Sequence, residues 1–151
     1  MPHQTRLFVK TGLVYLALSF ALGAVLLLLE AAGQPVPFVF AIEHGHLGEV
    51  GWLVNIVIGI ALWMLPLNRE RFPETQGRYP SALVYACFIL LNGGLALRLI
   101  AEPWFQLGGR PPVAAIALVI AALAQPAAIA LFVFIAWQRV RPPSRPAPGV
   151  H

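Results

Sequence analysis

Charge is the first thing this chain lacks. Asp, Glu, Lys and Arg make up 11% of its 151 residues, where a soluble domain carries roughly 25%. So few charges cannot clothe a water-exposed surface, and a lipid bilayer as solvent accounts for the shortage. Aspartate is absent altogether, which excludes a Ser-His-Asp triad. Ser19 and Ser81 have no histidine near them in sequence, and no glycine-rich phosphate loop occurs. The one cysteine, Cys87, excludes a disulfide within the chain and a cysteine-based metal cluster. Lying in an apolar run, it reads as a small buried hydrophobe. The net charge of +4 comes without a basic stripe or a binding motif, so no nucleic-acid partner is expected.

What the chain has is long apolar runs. Four are long enough to span, from about Leu7 to Ala32, Ile42 to Leu65, Pro80 to Ala101 and Pro112 to Gln138. A helix needs roughly 20 residues to cross the hydrocarbon layer. Helix is the favoured solution because backbone groups cannot stay unpaired in lipid. The first run has a basic start, but its apolar core from Leu13 to Leu29 exceeds the ~7–15 residues of a cleaved signal peptide. The expected fold is all-α: an integral membrane, antiparallel up-down-up-down four-helix bundle over residues 1–140, favoured by short connections. The proline-rich tail, 141–151, is expected to be disordered and cytoplasmic.

The basic residues set the direction. Arg6, Lys10, Arg69, Arg71, Arg78, Arg139, Arg141 and Arg145 fall on one side of the spans, and only Arg98 and Arg110 fall on the other. That bias predicts both ends in the cytoplasm, as in a multi-pass protein of a bacterial-type inner (plasma) membrane. Pro80 and Pro112 stand where helices begin, a position that suits proline. Pro66 ends the second helix, and Pro103 is expected to follow the third. Gln125-Pro126 lies midway along the fourth, where proline frees a carbonyl and kinks a helix. That is one mid-span break with no counterpart in another helix, unlike the paired breaks of inverted-repeat transporters.

The chemistry-bearing residues cluster at the outer mouth of the second helix. His44 and His46 stand there between Glu43 and Glu49. An ionisable side chain at a membrane boundary is costly and calls for a reason. At 100° per residue His44 shares a small, polar face with Gly48, Gly51, Asn55 and Gly59, suited to close helix packing. His46 falls about 200° away, on a face with Glu49, Val50 and Leu53. If both are helical they cannot bind one ion; if the helix starts after His46, both could converge on one. Imidazole suits haem iron, copper and zinc. A zinc or copper site of His44, His46 and Glu49 is therefore one reading, and simple interfacial hydrogen bonding is another. Arg98, a turn from the outer end of helix three, has Glu102 four residues on. It either pairs with a carboxylate of the chain or holds one from a ligand, such as a haem propionate. Asn92, beside Gly93-Gly94, reads as helix–helix glue, and an Asn55–Gln125 hydrogen bond is expected.

One stretch also carries a resemblance. His44-x-His46-Leu47, then Gly51-Trp52, Gly59 and Pro66, resembles the pattern of small four-helix membrane proteins similar to part of subunit I of haem-copper oxidases and nitric oxide reductases. The match covers about 23 residues of one helix. In those large enzymes a helix-two histidine near the outer side ligates haem b, so the resemblance implies that role for His46 or His44, with Arg98 placed for propionates. Helices three and four contain no histidine, so a three-histidine copper centre cannot be built from one chain. The resemblance thus implies a haem b protein for electron transfer or diatomic gas binding. It would have one protein ligand, or two supplied across a homodimer. The competing expectation is a non-enzymatic accessory or assembly subunit of a respiratory complex.

Overall fold

A computed structural model describes residues 2–70 and 72–140. The tail expected to be disordered lies outside the described residues. Four long helices dominate: α1 (His3–Ala31), α2 (Phe38–Met64), α3 (Ser81–Leu107) and α4 (Pro112–Trp137). Among the described residues there is no β-strand. Each helix is long and apolar enough to cross a membrane. With 26 to 29 residues apiece, they reach about 39–44 Å at 1.5 Å per residue. That exceeds the ~30 Å hydrocarbon layer and leaves a turn or more at each end for the headgroup region.

Proline and glycine mark the boundaries. Pro37, Pro80 and Pro111 precede α2, α3 and α4, where a missing N–H costs nothing. α1 ends at Gly33, whose φ of +68° lets the Gln34 N–H turn back to the Leu29 carbonyl at 2.9 Å. α2 stops because Leu65 precedes Pro66 and is held extended. α3 differs from expectation. It runs through Pro103 to Leu107, because the apolar run resumes with Trp104 and Phe105. A proline in such a helix forfeits one bond and is tolerated. α4 likewise continues through Pro126.

The helices pack in two pairs, α1 with α2 and α3 with α4, joined mainly through α2 and α3. Along the first pair, Gly59 meets Phe8 and the Thr5 carbonyl, Gly12 meets Ile56, Gly51 meets the Tyr15 ring, Gly48 meets Ser19, and Gly23 meets His44. The small face expected of Gly48, Gly51 and Gly59 is therefore the packing face. Between α3 and α4, Gly94 meets Ala124 and the Cys87 thiol donates to the Ala128 carbonyl at 3.3 Å. Cys87 is buried, as expected. Most outward side chains are large and apolar, among them Phe20, Leu27, Ile89, Ile100, Leu123 and Phe134. Such a surface suits lipid contact and would be an aggregation hazard in water.

A buried amide pair ties the two halves. Asn55 Nδ2 donates to Asn92 Oδ1 at 3.0 Å and Asn92 Nδ2 returns a bond to Asn55 Oδ1 at 3.1 Å. Asn92 is thus the expected interhelical tie, but its partner corrects the expectation. Asn55 faces α3 and bonds Asn92 rather than Gln125, whose Nε2 is left buried with no partner among the described residues.

Candidate functional site

The site starts from an irregularity in α2. Between Leu47 and Val54 the helix widens to π-type i→i+5 bonding. Asn55 contributes to this, its Nδ2 donating to the Gly51 carbonyl at 2.8 Å and the Val50 carbonyl at 3.3 Å. The wider turn changes which residues share a face. Val39, Glu43, Leu47, Gly51 and Asn55 are all buried, every fourth residue. In a uniform α-helix that spacing drifts about 40° per step. The π stretch holds the stripe against its neighbours.

His44 lies beside this stripe. α2 is helical from Phe38, so the two histidines do not converge ahead of a late helix start. The His44 ring rests against Gly23 of α1, where a Cβ would come within 2.8 Å of its Cε1. Its Nδ1 lies 3.0 Å from the Ser19 carbonyl. A carbonyl only accepts, so Nδ1 carries the proton and a neutral ring keeps its lone pair on Nε2. The Ser19 hydroxyl donates in return to the His44 carbonyl at 3.3 Å. His46 has the same tautomer for a different reason: its Nδ1 donates to the Ile42 carbonyl, one turn back on its own helix, at 2.9 Å.

Beside His44, between α1 and α2, lies a groove of about 510 Å³. Leu16, Phe20, Leu27, Trp52 and Leu53 make it apolar, and Glu49 is the charged residue on its wall. His46 does not line it. Uniform helical spacing had put Glu49 on the His46 face; the π turn after His46 brings it to the His44 groove instead. Among the described residues no three His, Cys, Asp or Glu side chains gather to hold a metal ion. His44, His46 and Glu49 are therefore not brought together in one chain.

Arg98 belongs to a second polar group, on the α2–α3 side. Its Nε lies 2.8 Å from Glu102 Oε2, the i,i+4 pair expected. Arg98 does not line the groove. Opposite this pair stands Glu43, 3% exposed, with both carboxylate oxygens lacking a hydrogen-bond partner among the described residues. Arg98 and Glu102 are the charged groups that face it. Sequence reading passed over Glu43 as a neighbour of the histidines. Its place in the every-fourth-residue buried stripe was the available signal.

Arg139 was also missed, counted only as an inner-side charge. It is 1% exposed. Its Nε donates to the Pro66 carbonyl at 2.6 Å, its Nη2 donates to the Leu65 carbonyl, and its guanidinium stacks 4.1 Å over the Tyr79 ring. It therefore locks the end of α2 to the end of α4. Asn68, donating to the Gln138 carbonyl at 3.1 Å, reinforces the lock.

Comparison with known proteins finds no matching family, no matching characterised protein and no matching solved structure.

Proposed function

We propose that this chain is an integral membrane protein, an antiparallel four-helix bundle with both termini in the cytoplasm, that binds haem b through His44. The orientation rests on the eight-to-two distribution of basic residues. The antiparallel pairing rests on the contacts of α1 and α2, in which rising positions on one meet falling positions on the other.

The observation that carries the haem reading is the His44 ring. A ligating histidine characteristically donates its other ring N–H to a carbonyl or carboxylate, which fixes tautomer and orientation. His44 does this to Ser19, is seated against Gly23, and lines an apolar groove. The groove's size falls within the roughly 300–1,000 Å³ of small-molecule sites. The axial-ligand part of the resemblance therefore fits. The propionate part does not: Arg98 is engaged by Glu102 and lies off the groove. His46, on a different face with its own Nε2 free, is the candidate second ligand toward another copy of the chain. A bound haem would supply one-electron transfer or a coordination position for a diatomic gas.

The test is a visible spectrum and pyridine haemochrome assay on full-length protein purified from haem-replete cells. A Soret band with haem b stoichiometry, lost in His44→Ala, is expected. A colourless preparation that gains no Soret band on haem addition would overturn the reading.

A second reading is favoured by one observation: among the described residues, the one acidic or basic side chain besides His44 on the groove wall is Glu49, whose carboxylate is no partner for propionates. On that reading the chain is a cofactor-free accessory subunit of a respiratory complex. It then co-purifies with larger membrane partners and is indifferent to His44→Ala and His46→Ala.

A further inference from the structure

A cavity of about 360 Å³ opens at the other end of the fold, where Pro2 on the N-terminal side and Arg139 on the C-terminal side both line it. Its lining is of two kinds: Arg78, Tyr79 and Arg139 bring polar groups, and Leu62, Trp63 and Val84 bring apolar surface.

The polar part of the lining is short of an anion. Arg139 is fully buried, yet its acceptors are two backbone carbonyls and a ring face. Among the described residues no carboxylate forms an ion pair with Arg139 or with Arg78. The two arginines are close enough to repel. Burial, and to a smaller extent Arg78, pull Arg139 below the ordinary guanidinium pKa, with Tyr79 acting the other way. A buried cation without a counter-charge is costly. Tyr79 adds a second deficit. It is 6% exposed, the guanidinium stacks on its ring, and its hydroxyl is buried with no hydrogen-bond partner among the described residues. Guanidinium has five N–H donors, more than the two bonds to the Leu65 and Pro66 carbonyls occupy.

A phosphate group answers all of these deficits at once. It carries negative charge, offers several acceptor oxygens, and suits arginine in particular. The apolar part selects further, since a glycerol backbone and the start of acyl chains would lie against Leu62, Trp63 and Val84. We propose that this cavity binds the phosphate of an anionic phospholipid, with Arg78, Arg139 and the Tyr79 hydroxyl as its donors. Basic pockets at the ends of transmembrane helices are a known way to hold such headgroups. The proposal is independent of haem: a colourless protein would bind the lipid equally well.

The shared chemistry is phosphate, and the experiment separates its sources. Full-length protein in neutral detergent is heated with phosphatidylglycerol, with phosphatidylcholine, or with inorganic phosphate. Ligand that binds only the folded state raises the melting temperature. Phosphatidylglycerol is expected to raise it by several degrees, and the other two much less. Arg78→Gln and Tyr79→Phe each should remove at least half of that rise. Neither change breaks a hydrogen bond seen in the fold, whereas an Arg139 variant would lose its structural lock. Arg6→Gln, an exposed charge on α1, should leave the rise intact. An equal response to inorganic phosphate would keep the site and assign it to free phosphate. No response to either phosphate source, or a lipid response that Arg6→Gln weakens as much as Arg78→Gln does, would overturn the proposal.

Discussion

The two helix pairs use small residues for opposite ends. Between α3 and α4, Gly94 is set against Ala124, and buried Ala114, Ala121 and Ala128 keep the seam tight and apolar. Between α1 and α2, glycines are set against large side chains: Gly51 under Tyr15, Gly12 under Ile56, Gly23 under His44. The first arrangement closes the middle of an interface. The second makes room for bulky or polar groups, and beside them a groove remains. Small residues at a helix contact therefore mark close approach, but only the residue opposite tells whether the result is a seal or a seat.

Substitutions at matched positions can break this contrast. The largest effect is expected at Gly94→Leu. A Cβ there already comes within 3.0 Å of Ala124, so the added bulk must force α3 from α4. Overpacking of this kind costs about 1–3 kcal/mol, and the melting temperature in detergent should fall accordingly. Next is Asn92→Ala, which leaves the Asn55 amide buried and half-paired between the halves. A loss of about 1–2 kcal/mol is expected, with the Asn55→Ala, Asn92→Ala double variant costing less than the two single losses added together.

Gly23→Ala tests the seat itself. A methyl 2.8 Å from His44 Cε1 must turn the ring away from the Ser19 carbonyl. Stability should change little, while haem affinity falls about 10–100-fold, as for a lost outer partner of a ligand. Ser19→Ala should do far less, because the ring's acceptor is the backbone carbonyl and survives the change. If Ser19→Ala matched Gly23→Ala in a haem titration, the hydroxyl and not the carbonyl would be orienting the ring.

The smallest effect concerns pH. Tyr79 lies between α2 and α3, and burial raises its pKa above the ordinary 10.0. The folded protein thus holds this proton more tightly than the unfolded chain does. The corresponding stability is present below pH 10 and fades as pH climbs through the folded value. Melting curves from pH 9 upward should show a steeper alkaline loss for wild type than for Tyr79→Phe.

Much of this architecture was legible in the residues. The four spans follow from apolar length, and the α1–α2 packing face from Gly48, Gly51 and Gly59 at helical spacing. What escaped has physical reasons. Pro103 looked like a stop because proline breaks helices in water, but here the apolar run resumes beyond it. The π turn has no periodic signature, so Glu49 was placed on the wrong face. Arg139 looked like one more inner charge, since topology counting treats every arginine alike and cannot tell a buried lock from a solvated tip. Asn55 found Asn92 rather than Gln125 because its side chain turns to α3 while Gly51 and Gly59 on the same face pack on α1, a fact of packing rather than of spacing. At the candidate site, the histidines were visible, but the division of labour between them was not. It is set by Ser19 and Gly23 on α1, which the fold brings to His44 although sequence separates them.

The most direct measurement is a haemin titration of wild type, His44→Ala and His46→Ala side by side, followed by absorbance in the Soret region. Wild type should saturate with a sharpened, shifted band, and His44→Ala should not. His46→Ala should retain binding with an altered spectrum if it serves as the second ligand. Three indistinguishable titrations would contradict the account.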